Sequence, residues 1–160
     1  VNWNTENAEK MYELTGKYPA LNCFDFIHFN NSKPLGNANW IDYTNTSVVE
    51  DWYNNGGIVE CMWHWNVPAS KDQLNDISSY TCSADKTTFS AKNATRNGTW
   101  ENERVKRDLY VIADYLLALQ EKGIPVIWRP LHEARGNYGK WGDTGKAWFW
   151  WGSNGPVQFK

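Results

Sequence analysis

Residues 101–133, ENERVKRDLYVIADYLLALQEKGIPVIWRPLHE, hold a helix, a stop, a strand and a pair of chemically active side chains in that order. Val105, Leu109, Ile112, Leu116 and Leu119 recur at helical spacing and make one apolar stripe. Glu101 and Glu103 suit the positive end of a helix, and Gly123 with Pro125 stops it, so the spacing predicts a helix over 101–120. Val126, Ile127 and Trp128 then form the short β-branched and aromatic run expected of a buried strand. His132 and Glu133 sit where that strand stops, ahead of a glycine-rich segment.

The chain before this stretch repeats the pattern. Thr5 is an N-cap candidate for a helix carrying Ala8, Met11 and Tyr12, which Gly16 ends. Ala20 to Phe26 is predicted as a strand, Asn30 to Thr46 as a loop, and Val48 to Tyr53 as a short helix. Ile58 to Trp63 is the next strand, with His64-Trp65-Asn66 at its exit. Ser70 and Gln73 have capping-box spacing, and Ser78 to Asn97 reads as an irregular polar insertion. Strands alternating with helices imply an α/β fold with a parallel sheet.

Asp25, His64 and Glu133 all lie at or beyond a strand's C-terminal end, which is the active face of a (β/α)8 barrel. A flavodoxin-like open sheet would place ligands there too, but the phosphate-binding glycine loop of such folds is missing. A whole barrel takes about 250 residues. The 160 residues here are therefore expected to form one partial catalytic domain, 1–160, roughly half of a barrel, with the remainder supplied by further chain.

Composition narrows the partners. Hydrophobic residues at 41%, charged residues at 21% and a net charge of −2 describe a soluble globular protein with no basic patch for nucleic acid. Nothing approaches a membrane span, and the first residues contain no signal peptide. Three cysteines (Cys23, Cys61 and Cys82) leave at least one unpaired, and neither zinc-type spacing nor a His-Glu-x-x-His pattern occurs, so no metal or cofactor is expected. Eleven Trp and eight Tyr are the outlying numbers. With Leu, Ile and Val sparse, many of these rings are expected to line a groove, where flat apolar faces suit pyranose rings.

Strand alternation adds a geometric expectation. Glu133 shares a face with Leu131, Arg129 and Ile127, and His64 shares one with Met62, Glu60 and Ile58. If His64 and Glu133 point into the barrel mouth, Glu60 and Arg129 point inward one layer below. A buried Arg needs a counter-charge, so a Glu60–Arg129 ion pair is predicted. A separation beyond about 6 Å would rule it out.

Trp128-Arg129-Pro130-Leu131-His132-Glu133 and Trp148-Phe149-Trp150-Trp151-Gly152 closely resemble the W-R-P-x-H-E and W-F-W-W-G motifs of glycoside hydrolase family 26, the β-mannanases. The likeness extends to Gly16-Lys17-Tyr18-Pro19-Ala20 with Phe24-Asp25, and to Gly56-Gly57-Ile58-Val59 running into Trp63-His64-Trp65-Asn66. The resemblance implies a (β/α)8 barrel, here strands two to four, and a retaining endo-1,4-β-mannanase acting on mannan, galactomannan or glucomannan. Glu133 then corresponds to the acid/base, and the nucleophile is a second Glu on the seventh strand, outside these residues, so the 160 residues alone are expected to hydrolyse nothing. His64 and His132 correspond to sugar-contacting histidines and Trp148 to a ring flanking the cleaved sugar. Trp150 or Trp151 is core or substrate-facing, one of Trp63 and Trp65 is expected to meet substrate, and Tyr138 and Trp141 could add stacking. The segment from Ala134 to Ala147 is longer than the family's usual link, which leaves the adjoining subsites and endo or exo action open. A β-1,3-xylanase, a mixed-linkage β-glucanase or a non-catalytic carbohydrate-binding protein are the alternatives. A polysaccharide substrate implies a secreted protein, extracellular, periplasmic or on the cell surface.

Overall fold

The structure is a computed structural model and describes residues 2–31, 40–137 and 147–159. In chain order its regular elements are α1 (Glu6–Thr15), β1 (Leu21–Asp25), α2 (Ser47–Asn54), β2 (Ile58–Met62), α3 (Ala91–Ala94), α4 (Trp100–Glu121), β3 (Val126–Arg129) and α5 (Pro156–Phe159). The three strands form one parallel sheet in the order β1-β2-β3. Leu21 to Asp25 align with Ile58 to Met62, and Val59 to Met62 with Val126 to Arg129. The main chain divides into two compact units, Val1–Trp63 with Ile112–Pro130, and His64–Val111 with Leu131–Lys160.

The first unit holds the sheet. One face of β2 buries Val59 and Cys61, continued by Trp63, all at 1% exposure or less. Rings fill the space against it: Phe26 stacks on Tyr115 of α4 at 5.8 Å, and Trp63 meets both Phe29 and Trp128. Burial this complete explains why Trp63 is not available to substrate, which corrects its assignment as a substrate-facing ring. The opposite face carries Ile58, Glu60 and Met62 of β2 and Ile127 and Arg129 of β3. There the Arg129 Nε donates to Glu60 Oε1. This is the ion pair that strand alternation predicts, but its premise needs correcting: the Arg129 side chain is 48% exposed, not buried. Ile58 at 49% and Ile127 at 52% are open as well, because the described residues of this unit leave that face uncovered.

α4 begins at Trp100 and ends at Glu121, one residue beyond the predicted span on each side. Its buried face keeps Ile112 and Leu119 of the predicted stripe but not Leu109. Glu101, Arg104, Asp108, Ile112, Tyr115 and Leu119 are buried, whereas Leu109 is 46% exposed. The first half of the face is polar because Arg104 and Asp108, one turn apart, neutralise each other inside the second unit, with Nε and Oδ1 2.8 Å apart. Arg104 also donates to the Tyr80 hydroxyl, and Asp108 accepts from the Trp65 indole, each at 2.8 Å. Around them Val67, Phe89, Ala91, Trp150 and Trp151 form this unit's apolar core.

The polar insertion has more order than its composition suggests. Three-residue 3-10 turns (Ile77–Ser79 and Ala84–Lys86) and α3 punctuate it, and it pairs with the chain at two isolated bridges, Val67 to Thr81 and Ser83 to Phe149.

Candidate active site

Pro130 removes a ladder donor, and β3 stops at Arg129. The next residues turn rather than extend, so the alternation argument does not carry from Arg129 to Glu133. Glu133 stands on that turn, exposed, in a left-handed conformation with φ 51°. Such a conformation in a residue other than glycine costs of order 1 kcal/mol and persists where surrounding contacts hold it. Here the Glu133 carbonyl accepts from Gly136 N at 2.7 Å, closing the turn.

Next to Glu133, His132 is buried, and its Nε2 lies 3.2 Å from Nε2 of His64. One of the two nitrogens carries the bridging hydrogen and the other accepts it. Phe149 packs on both imidazoles, with centroids at 5.5 Å from His64 and 5.2 Å from His132. Trp151 stacks on Phe149 at 4.5 Å and donates its indole N–H to the His132 carbonyl at 2.9 Å. Trp151 is thus a buried strut, 2% exposed, and not a sugar platform. Trp65 is a strut too, at 5% exposure: its indole is spent on Asp108 and its carbonyl accepts from the Trp150 indole at 2.8 Å. Both rings are buried here, unlike the substrate-facing rings that the sequence led us to expect.

Trp148 differs. It is 50% exposed, and its backbone N–H points to the Gly136 carbonyl at 3.3 Å. A Cβ on Gly136 would stand 2.5 Å from the Trp148 ring, so the indole lies directly on the glycine that closes the Glu133 turn. Gly152 makes a second close approach, since a Cβ there would meet the Ala134 carbonyl oxygen at 2.2 Å. These two glycines let the aromatic motif lie against the turn. The polar insertion secures its other side, with Ala84 N donating to Trp148 O and Trp150 N to Cys82 O, at 2.9 and 3.0 Å. Among the described residues, no group of three or more His, Cys, Asp or Glu could hold a metal ion.

The description "Glycosyl hydrolase family 26" matches residues 2–160. The chain belongs to that family. Mannan endo-1,4-beta-mannosidase B of Piromyces sp is 36% identical over 145 residues, covering 89% of this chain and 22% of the relative. The crystal structure of the family 26 domain of an endo-beta-mannanase/endo-beta-glucanase from Prevotella bryantii is similar at a TM-score of 0.82 with 43% identity, over 99% of this chain and 48% of that one. A beta-mannanase from a symbiotic protist of the termite Reticulitermes speratus, complexed with gluco-manno-oligosaccharide, gives a TM-score of 0.69 with 30% identity, over 99% and 46%. The chain therefore spans between about a fifth and a half of these relatives, and its fold is part of the family's (β/α)8 barrel, with β1 to β3 as three of the strands.

Within this family 26 chain, the structure brings His64, His132, Phe149, Trp148 and Glu133 into one unit. It sets Glu60 and Arg129 in the other, where their pairing acts on Cys23 as well: burial first, and then the Glu60 charge, push that thiol up. The Glu60 hydrogen bond raises Arg129 further and keeps it cationic. Tyr138 and Trp141 lie outside the described residues. Sequence reasoning missed Phe149 as the ring between the histidines and missed Asp108 and Arg104. The second pair carried a signal, because residues 104 and 108 are in helical phase with Ile112, Tyr115 and Leu119.

Proposed function

We propose that this chain is the acid/base-bearing part of a retaining endo-1,4-β-mannanase. The observation that carries the reading is the Glu133 turn: an exposed glutamate in a left-handed backbone conformation, directly after one of a pair of facing histidines, on a turn whose closing glycine lies under a half-exposed indole. In a retaining reaction one carboxyl protonates the leaving oxygen and a second, about 5–5.5 Å away, attacks the anomeric carbon. Glu133 takes the first role, donating its proton to the glycosidic oxygen and later removing one from the attacking water. The nucleophilic Glu is assigned to the family's seventh strand, outside these residues. His64 hydrogen-bonds a sugar hydroxyl, the buried His132 orients it through the contact between their Nε2 atoms, and Trp148 supports the ring being cleaved. The substrate is β-mannan, including galactomannan and glucomannan, as the names of the relatives support. A polymer of that size meets the enzyme outside the cytoplasm, and export to the cell surface or beyond belongs to the same reading.

The test is hydrolysis of galactomannan by the complete enzyme and its Glu133→Gln variant. Loss of a general acid lowers kcat by about 10²–10⁴, while binding of mannan persists. Undiminished turnover in the variant contradicts the role given to Glu133. Turnover by the 160 residues alone, abolished by the same change, contradicts the assignment of the nucleophile to further chain.

A further inference from the structure

Two motifs remain without a task in that scheme, Gly16 to Ala20 and Gly56 to Val59. Distant in sequence, they meet at the N-terminal ends of β1 and β2, where they and α2 line a cavity of about 560 Å³. That volume falls within the range of about 300–1,000 Å³ typical of small-molecule sites. Tyr18, Trp52, Glu9, Asp51 and Asn55 supply its chemistry.

The walls are set in advance. Tyr12 stacks on Tyr18 at 4.5 Å with the planes 14° apart, and the Tyr18 hydroxyl donates to Glu9 Oε2 at 2.7 Å. The Glu9 bond is the first cause that pushes the Tyr18 phenol up, so the hydroxyl stays a donor. Trp52 stands edge-on to Tyr18, its indole N–H given to the Ile58 carbonyl at 3.0 Å. It lies so close to Gly57 that a Cβ there would come within 2.2 Å of Nε1. Gly57 is therefore required for the indole to occupy this position.

We infer that this cavity is a second carbohydrate site, which holds a segment of β-mannan apart from the residues proposed for catalysis. A half-exposed tyrosine ring braced by a second ring offers a flat face to a pyranose, and Asp51, Glu9 and the Asn55 amide offer acceptors for its hydroxyls. Among the described residues no Lys or Arg lines the cavity, which disfavours an anionic ligand. Rigid walls reduce the ordering cost of binding. The identity of the sugar rests on the mannanase reading; the existence of the site does not.

The test is electrophoresis of the complete enzyme, carrying Glu133→Gln so that the gel is not hydrolysed, through galactomannan gels, with mannohexaose titrations in solution. Tyr18→Ala and Asp51→Asn are each expected to weaken binding about tenfold, as loss of a hot-spot contact does. Tyr18→Phe keeps the ring and retains most of the affinity, and thermal melts show which variants are folded. Should Tyr18→Ala fail to fold, the exposed Asp51→Asn decides. No retardation of the parent chain overturns the proposal. Retardation lost only in Trp148→Ala, or a Tyr18- and Asp51-dependent preference for oligolysine, overturns it equally. The catalytic reading is judged separately, by whether hydrolysis in the complete enzyme depends on Glu133.

Discussion

Replacing Asp108 by Asn sets two effects of a buried ion pair against each other. Asp108 is 1% exposed, 2.8 Å from Arg104 Nε, and accepts the Trp65 indole hydrogen. Burial is the largest influence on its carboxyl and pushes it up to about 6 from the ordinary 3.8, with the Arg104 charge pulling the other way. A native value above the unfolded one means that the folded state binds the proton more tightly. The stability this confers is complete below about pH 4 and is lost as pH rises through about 6. At 1.36 kcal/mol per unit, a difference of roughly two units amounts to about 3 kcal/mol.

Asparagine resembles the protonated carboxyl and still accepts from Trp65. The two proteins are therefore expected to have similar stability at pH 4, and the variant is expected to be more stable by about 3 kcal/mol at pH 7. Urea unfolding followed by tryptophan fluorescence from pH 4 to 8 measures the difference, and the histidines, common to both proteins, cancel. Arg104 supplies the opposing expectation, since stranding a buried partner charge costs about 3–5 kcal/mol. A variant destabilised by that amount at pH 7, with the parent's pH slope unchanged, would refute the view that desolvation outweighs pairing here.

Other substitutions separate struts from ligand contacts. Trp63→Ala removes a ring with 0% exposure and is expected to cost about 3–5 kcal/mol in unfolding experiments. Trp148→Ala, at a half-exposed ring, is expected to change stability by about 0.5 kcal/mol or less but to weaken mannan binding measured by calorimetry. Gly152→Ala drives a Cβ to within 2.2 Å of the Ala134 carbonyl oxygen. An overpacking cost of about 1–3 kcal/mol is expected, with a fall in the complete enzyme's activity, because the strained group adjoins Glu133.

The parallel sheet was legible because short apolar runs ending in Gly, Pro and charged residues fix strand starts and ends with little help from distant contacts. The Glu60–Arg129 pair was legible for the same reason, since both residues lie inside strands where alternation holds. The same rule failed at Glu133, where Pro130 and the following turn break the period. The tryptophans misled in a different way. Trp63 and Trp65 are both buried, each within its own unit, rather than divided between core and ligand. Their hydrogen-bond partners come from remote segments, Asp108 and Trp150 for Trp65, and no local pattern encodes such meetings. The apolar stripe of α4 held at Ile112 and Leu119 but failed in the first half of the helix, because two charges that neutralise each other can be buried as a leucine can.

The clamp between the two motifs of the site has a consequence for how such an enzyme can diversify. Trp151 holds the His132 carbonyl, and Gly152 lies against Ala134, so the chain on both sides of the glycine-rich segment is anchored independently of what joins it. Joining two fixed chain ends grows costlier only slowly with the length of the connection, by about 0.6 kcal/mol for each doubling. The two anchors thus tolerate a joining segment of a different length, and a change there leaves the Glu133 turn in place.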